Sequence, residues 1–220
     1  MTDFEQARIN MVDCQIRPND VTSHEVLEAF GSVPREAFVS PAQKPVAYID
    51  DDLEISADPH QRYLMQATPM SRLVQLADVK QDSIVLDVGC GTGYSTAVLS
   101  RLCNSVVALE CDEKLAEQAT QNLQALNFDN AVVITCALED GCAAEGPYDV
   151  IFVGGAVSSV PAKLTDQLKD GGRLVAVEGL GNSGVARLYK RQAGLVSGAT
   201  KFNCALKPLP GFEQVEEFVF

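Results

Sequence analysis

The chain has 220 residues, 46% of them hydrophobic and 21% charged, a balance that suits one folded domain of the larger kind with ample core. Its formal net charge of −13 argues against nucleic acid as a partner, and no apolar run approaches the roughly 20 residues needed to span a membrane. The opening stretch MTDFEQARIN lacks the pattern of a signal peptide, and the seven cysteines include no Cys-x-x-Cys pair, so the expectation is a cytosolic chain with reduced thiols and no metal centre.

Read in chain order, Phe4, Ala7, Met11 and Cys14 recur at steps of three and four and predict a helix, which Pro18-Asn19-Asp20 breaks. Thr22-Ser23-His24-Glu25 reads as a capping box opening a second helix with Val26, Phe30 and Val33 on one face and Gly31 at its end. Residues 34–47 read as loop with a short helical turn. From Ser83 onward β-branched runs alternate with helical stretches. Strands are predicted at 84–88, 105–109, 131–135, 149–153 and 173–177. Helices are predicted at 94–102, after an Asp112 cap with Leu115, Ala119, Leu123 and Leu126 on one face, and from Pro161 through Leu164 and Leu168 to Gly171-Gly172. The last third reads as strands at 185–191, 198–206 and 215–220 without helices between them. The fold class expected is α/β: a Rossmann-like, doubly wound, mostly parallel seven-stranded sheet with an antiparallel C-terminal edge and an N-terminal helical cap. Residues 1–220 form one domain in this reading, with 1–69 a helical and substrate-loop segment and 70–220 the ligand-binding core.

The densest signal is Leu86-Asp87-Val88-Gly89-Cys90-Gly91-Thr92-Gly93-Tyr94-Ser95, which joins the 84–88 strand to its helix. Glycines at alternate positions let the backbone turn sharply and let a ligand approach it closely. A dinucleotide fingerprint wants Gly-x-Gly-x-x-Gly, but Tyr94 stands where its last glycine would be. Asp87 puts negative charge where a pyrophosphate would sit. A ligand with a cationic amino group suits that position better, and S-adenosylmethionine carries one. Glu110 follows Gly89 by about 20 residues, at the end of the next strand, where an acid accepts hydrogen bonds from ribose hydroxyls. The cofactor-binding candidates are therefore Asp87, Gly89, Cys90, Gly91, Thr92, Gly93 and Glu110. After the third strand the backbone of Ala137 and Leu138 is available to an adenine ring, with Glu139 as a side-chain alternative. Gly154, in Val153-Gly154-Gly155-Ala156-Val157, reads either as part of a plain turn or as a backbone lining for the substrate pocket.

Several segments together resemble the protein-L-isoaspartate O-methyltransferase family. Met11-Val12-Asp13-Cys14-Gln15-Ile16-Arg17 is similar to its N-terminal Met-Val-x-x-Gln-Leu/Ile-Arg segment. Val33-Pro34-Arg35-Glu36-Ala37-Phe38-Val39 is similar to its Val-Pro-Arg-Glu-x-Phe-Val segment. Ala47-Tyr48, the glycine loop and Gly172-Arg173-Leu174-Val175 also resemble family segments. The resemblance covers nearly the whole chain and implies an enzyme that transfers methyl from S-adenosylmethionine to the carboxylate of isoaspartyl residues in damaged proteins. Such a carboxylate is already ionised near neutral pH and needs no general base, only desolvation and alignment.

The chain departs from the family where the latter carries Gly-His-Gly-Gln-Thr-Ile-Ser-Gln-Pro, whose hydroxyl residues face the substrate. Aligned on Pro69, the threonine becomes Met65 and the serine Ala67. Thr68 either replaces the missing hydroxyl or caps the helix at Pro69. His60 either touches substrate or sits in a solvated loop. Arg62 is a cation able to hold a carboxylate. The alternatives left open are a methyltransferase for another carboxylate or small molecule and a non-catalytic S-adenosylmethionine-binding protein.

Overall fold

A computed structural model describes residues 3–56 and 61–212. Its centre is a seven-stranded sheet in the order β5-β4-β3-β6-β7-β8-β9, where β3 is Ile84–Val88, β4 Ser105–Glu110, β5 Ala131–Thr135, β6 Tyr148–Val157, β7 Leu168–Glu178, β8 Val185–Gln192 and β9 Leu195–Asn203. The first five in that order run parallel, and β8 and β9 are antiparallel, so the expected C-terminal edge is present. The predicted 215–220 strand lies outside the described residues.

Strand residues divide with period two because both faces are buried. Val85, Val106, Val150, Phe152, Val175 and Val177 face one core, while Leu86, Val107, Ile151, Val153, Leu174 and Ala176 face the other. The first core is roofed by the N-terminal helices α1 (Phe4–Met11) and α2 (His24–Ser32), by α3 (Ala67–Ala77) and by α4 (Tyr94–Ser100). The second takes in Leu164 of a short α6 (Ala162–Thr165) and the segment around Leu209 and Phe212. Helix α5 (Glu113–Ala125) opens where expected: Asp112 Oδ1 accepts from the backbone N–H groups of Lys114 and Leu115, at 2.8 and 3.1 Å.

Four expectations are corrected. The helix predicted from Pro161 through Leu168 stops at Thr165, because Leu168 pairs with Tyr148 as the start of β7 and Gly171-Gly172 form a bulge inside that strand. Gly31 does not end α2, which continues to Ser32 and is closed by Val33. Cys14 does not share the face of Met11: a π-helical stretch, Val12–Ile16, widens the turn, so Val12 and Ile16 point inward and Cys14 is exposed. Gly154-Gly155 are not a plain turn but a bulge within β6.

The chain also forms a small hairpin that periodicity did not reveal. Strand β1 (Leu53–Ser56) pairs antiparallel with β2 (Arg62–Leu64), with Leu53 opposite Leu64 and Ser56 opposite Arg62.

Candidate active site

In an open α/β sheet, ligands gather beyond the carboxyl ends of the strands where the strand order reverses. Here that place is the end of β3, flanked by β4 and β6. The loop leaving β3 holds Gly89, Gly91 and Gly93 at φ +83°, +57° and +96°, so the glycine spacing serves a backbone that side chains resist. Four of the loop's amides are spent within the protein. Those of Gly89 and Cys90 both donate to Leu109 O at 2.9 Å, that of Gly93 donates to Cys90 O, and that of Gly91 donates to Glu110 Oε2 at 2.8 Å. A loop whose donors are committed in this way is no cradle for a pyrophosphate. Tyr94 begins α4 wholly buried, edge-on to Phe30 and Phe38, so the helix is propped by an aromatic ring where a dinucleotide fold would use glycine.

Glu110 closes β4 and is fully buried. Besides Gly91, its carboxylate accepts from the amides of Cys111 and Asp112, at 2.9 and 3.2 Å, and from the guanidinium of Arg62. Arg62, in β2, is almost as deeply buried, and its second nitrogen donates to Gly89 O at 3.0 Å. Of the two sequence-predicted groups, then, Arg62 lies directly on Glu110 and on the glycine loop. That pairing was not foreseen.

Asp87 is fully buried under the loop. Its Oδ2 accepts from Ser95 and Thr96, each at 2.7 Å, while Oδ1 has no hydrogen-bond partner among the described residues. Burial, reinforced by the nearby Glu110 charge and only partly offset by the two hydroxyls, pushes its pKa up to about 6. An unpartnered carboxylate oxygen in such a place asks for a cation.

The other predicted residues are distributed as follows. Thr92 is buried and donates to Phe38 O at 2.7 Å, tying the glycine loop to the 35–38 turn. The Cys90 side chain packs against Ala108 and Ala119 beneath the loop. Gly154 lies so close to the loop that a Cβ there would stand 3.1 Å from Gly89 O and 3.2 Å from Val88 O. Ala137 is exposed just past β5, and Leu138 is buried in the second core. The Thr68 hydroxyl is engaged elsewhere, with Gln15 O at 3.3 Å and Asp50 Oδ1 at 3.1 Å, and so ties the start of α3 to the N-terminal segment. His60 lies outside the described residues.

Two residues that the sequence did not single out as site groups stand beside it. Met65 lines both of the small cavities beside the hairpin. Arg35 is fully buried, donates to Ala47 O and Met65 O at 2.7 and 2.8 Å, and lies over the Tyr94 ring at 4.9 Å, so it fastens the segment that carries Met65.

The seat is closed in this structure. Ile55 of β1 stands where a Cβ on Gly91 would be, and Leu209 where one on Gly89 would be. The cavities left against the loop hold about 20 Å³ each, room for about one water. An open groove of about 1030 Å³, lined by Thr92, Cys111, Asp112, Asn122 and Ile55, adjoins it.

Comparison with known proteins places this geometry. Residues 7–214 match the family described as protein-L-isoaspartate(D-aspartate) O-methyltransferase. A protein-L-isoaspartate O-methyltransferase of Koribacter versatilis is 34% identical over 211 residues, covering 96% of this chain and 94% of its own length. One from Opitutus terrae is 36% identical over 184 residues, covering 82% and 78%. A solved protein-L-isoaspartate O-methyltransferase superposes with a TM-score of 0.81 at 28% identity, over 93% of this chain and 67% of that one. A Plasmodium falciparum protein solved in complex with S-adenosyl-L-homocysteine shares the fold, with a TM-score of 0.78 at 21% identity over 96% and 100%.

Proposed function

The chain belongs to the protein-L-isoaspartate(D-aspartate) O-methyltransferase family, and from that premise we propose that it methylates the free α-carboxylate of an isoaspartyl residue, the first step in returning damaged protein to aspartate. The methyl donor is S-adenosylmethionine, which when bound supplies an electrophilic methyl on a sulfonium sulfur. The residues present fit it. The observation that carries the reading is the buried Glu110 beside a tight glycine loop, with the unpartnered Asp87 Oδ1 beneath.

In this reading Glu110 accepts from ribose hydroxyls, and Asp87 faces the ammonium of the amino-acid end. The backbone of Ala137 and Leu138 serves the adenine edge, and Gly154 keeps the opposite wall low enough for the reacting groups to meet. The acceptor carboxylate needs a dry pocket and a cation. The cavity bounded by Arg62, Met65, Gly155, Lys207 and Leu209 is suited to both, with Asp52 as its one acid. Burial raises the pKa of Asp52. Thr68 is left out of this scheme because its hydroxyl already bonds to Gln15 and Asp50.

A second reading, transfer to another carboxylate or a small molecule, is favoured by one observation: Met65 borders the acceptor cavity at the position where the family motif carries a hydroxyl residue. One experiment separates the two. Labelled S-adenosylmethionine is offered with an isoaspartyl peptide and with its normal aspartyl twin. Label on the first alone supports the proposal. Binding of S-adenosylhomocysteine with no label on either peptide refutes isoaspartyl transfer and leaves the second reading. Seven unpaired cysteines suit a reducing, cytosolic setting, and no helix among the described residues is long and apolar enough to cross a membrane.

A further inference from the structure

The geometry points to Arg62 as a two-position group: it closes the cofactor seat by pairing with Glu110, and once displaced it holds the acceptor's carboxylate, so that acceptor binding depends on prior cofactor binding. This rests on the function proposed above.

Three observations carry it. First, Arg62 already holds the acid to which a ribose is assigned in the proposed function. Oε1 of Glu110 already takes donors from Arg62, Cys111 and Asp112, and the carboxylate has no exposed surface, so a ribose hydroxyl reaches it only after the guanidinium withdraws. Second, Arg62 does not act alone. It is on β2, and Ile55 of the paired β1 presses against Gly91, so one hairpin blocks both the acid and the loop. The two strands are short, of four and three residues, and form a sheet of their own apart from the central one, a small unit to displace. Third, Arg62 also borders the acceptor cavity, beside Lys207 and Met65. A guanidinium parted from Glu110 while still buried needs another anion, because an unpaired buried charge is strongly unfavourable. The nearest space fitted for one is that cavity, and the anion the reaction brings is the acceptor carboxylate. The two ligands then help each other to bind, since such coupling is reciprocal.

The test is calorimetric and needs no turnover. S-adenosylhomocysteine is titrated into the wild-type chain and into Arg62→Gln. An isoaspartyl peptide is titrated into each with and without saturating S-adenosylhomocysteine. The expected results are about tenfold tighter S-adenosylhomocysteine binding by Arg62→Gln, at least tenfold tighter peptide binding by the wild type when S-adenosylhomocysteine is present, and loss of that coupling in the variant. Arg62→Lys, which keeps the charge, retains the coupling in part. Equal or weaker S-adenosylhomocysteine binding by Arg62→Gln overturns the inference while leaving the cofactor assignment intact. Failure of both proteins to bind S-adenosylhomocysteine overturns the proposed function and the inference with it. Should Arg62→Gln not fold, the wild-type peptide titrations decide alone: affinity indifferent to S-adenosylhomocysteine refutes the two-position role.

Discussion

Replacing Asp87 by asparagine should make the protein more stable and a poorer binder of its cofactor. The wild-type carboxyl is fully buried, and burial raises its pKa from 3.8 to about 6, so at pH 8 the folded chain holds in its interior a charge that the unfolded chain exposes to water. A shift of about two pH units corresponds to roughly 3 kcal/mol of differential interaction. Asparagine keeps an oxygen for the Ser95 and Thr96 hydroxyls and removes the charge, but it sets an amide where Oδ1 now lacks a partner, which gives back part of the gain. A net gain of about 2 kcal/mol is expected. For a chain of this length that is a rise in melting temperature of roughly 4–8 °C. The sign follows from linkage. Folded Asp87 holds its proton more tightly than the unfolded chain does, so its contribution to stability falls as pH rises from about 4 to about 6 and stays lost above that. The advantage of Asp87→Asn should therefore be full at pH 8 and vanish near pH 4. Scanning calorimetry across that range measures it, and titration with S-adenosylhomocysteine should show affinity down at least tenfold. A variant that melts below the wild type at pH 8, or that binds S-adenosylhomocysteine as well as the wild type, would refute the reading of Asp87 as a strained carboxylate waiting for an ammonium group.

Other substitutions probe the rest of the site. Glu110→Gln strips the charge partner from the buried Arg62 and turns an amide donor toward backbone donors; a loss of about 3–5 kcal/mol and a melting temperature lower by roughly 10 °C are expected, with S-adenosylhomocysteine binding abolished. Gly154→Ala places a methyl group against Gly89 O and Val88 O and should cost about 1–3 kcal/mol in denaturant unfolding while weakening cofactor binding, since it pries β6 from the glycine loop. Arg35→Met removes a buried cation that has no carboxylate within hydrogen-bond reach among the described residues but fastens Ala47 O and Met65 O; stability should change by less than about 2 kcal/mol, whereas KM for the acceptor should rise as the Met65 segment loosens. An unchanged KM in Arg35→Met would show that the fastening is not needed for acceptor binding.

How far the sequence reaches can be seen at particular residues. The strand at 84–88, the three-glycine loop, the Asp112 cap and the acid at 110 were legible because each rests on neighbours a few positions away: period-two burial, backbone angles that only glycine accepts readily, and a side chain reaching the next turn. The mostly parallel sheet and its antiparallel edge were legible too, since strands alternating with helices leave few ways to cover a parallel sheet, whereas the order of the strands came only with the fold. The helix after Pro161 was misjudged because Leu164 and Leu168 keep helical spacing, while the pairing of Leu168 with Tyr148, a tertiary matter, made it strand. The double glycine at 154–155 left a plain turn and a pocket lining equally open, and the fold shows it small because β3's loop and residues 207–209 pass against it.

The sequence by itself determined what short range can encode: a doubly wound sheet, a tight glycine turn and an acid beside it. Only the folded chain decided what stands over that turn. Arg62 meets Glu110 across 48 positions, Ile55 meets Gly91, and Leu209 meets Gly89 from near the other end of the chain. No spacing rule foretells such pairs, because they depend on which buried surfaces come together and on a buried charge finding its counter-charge wherever the packing brings one near.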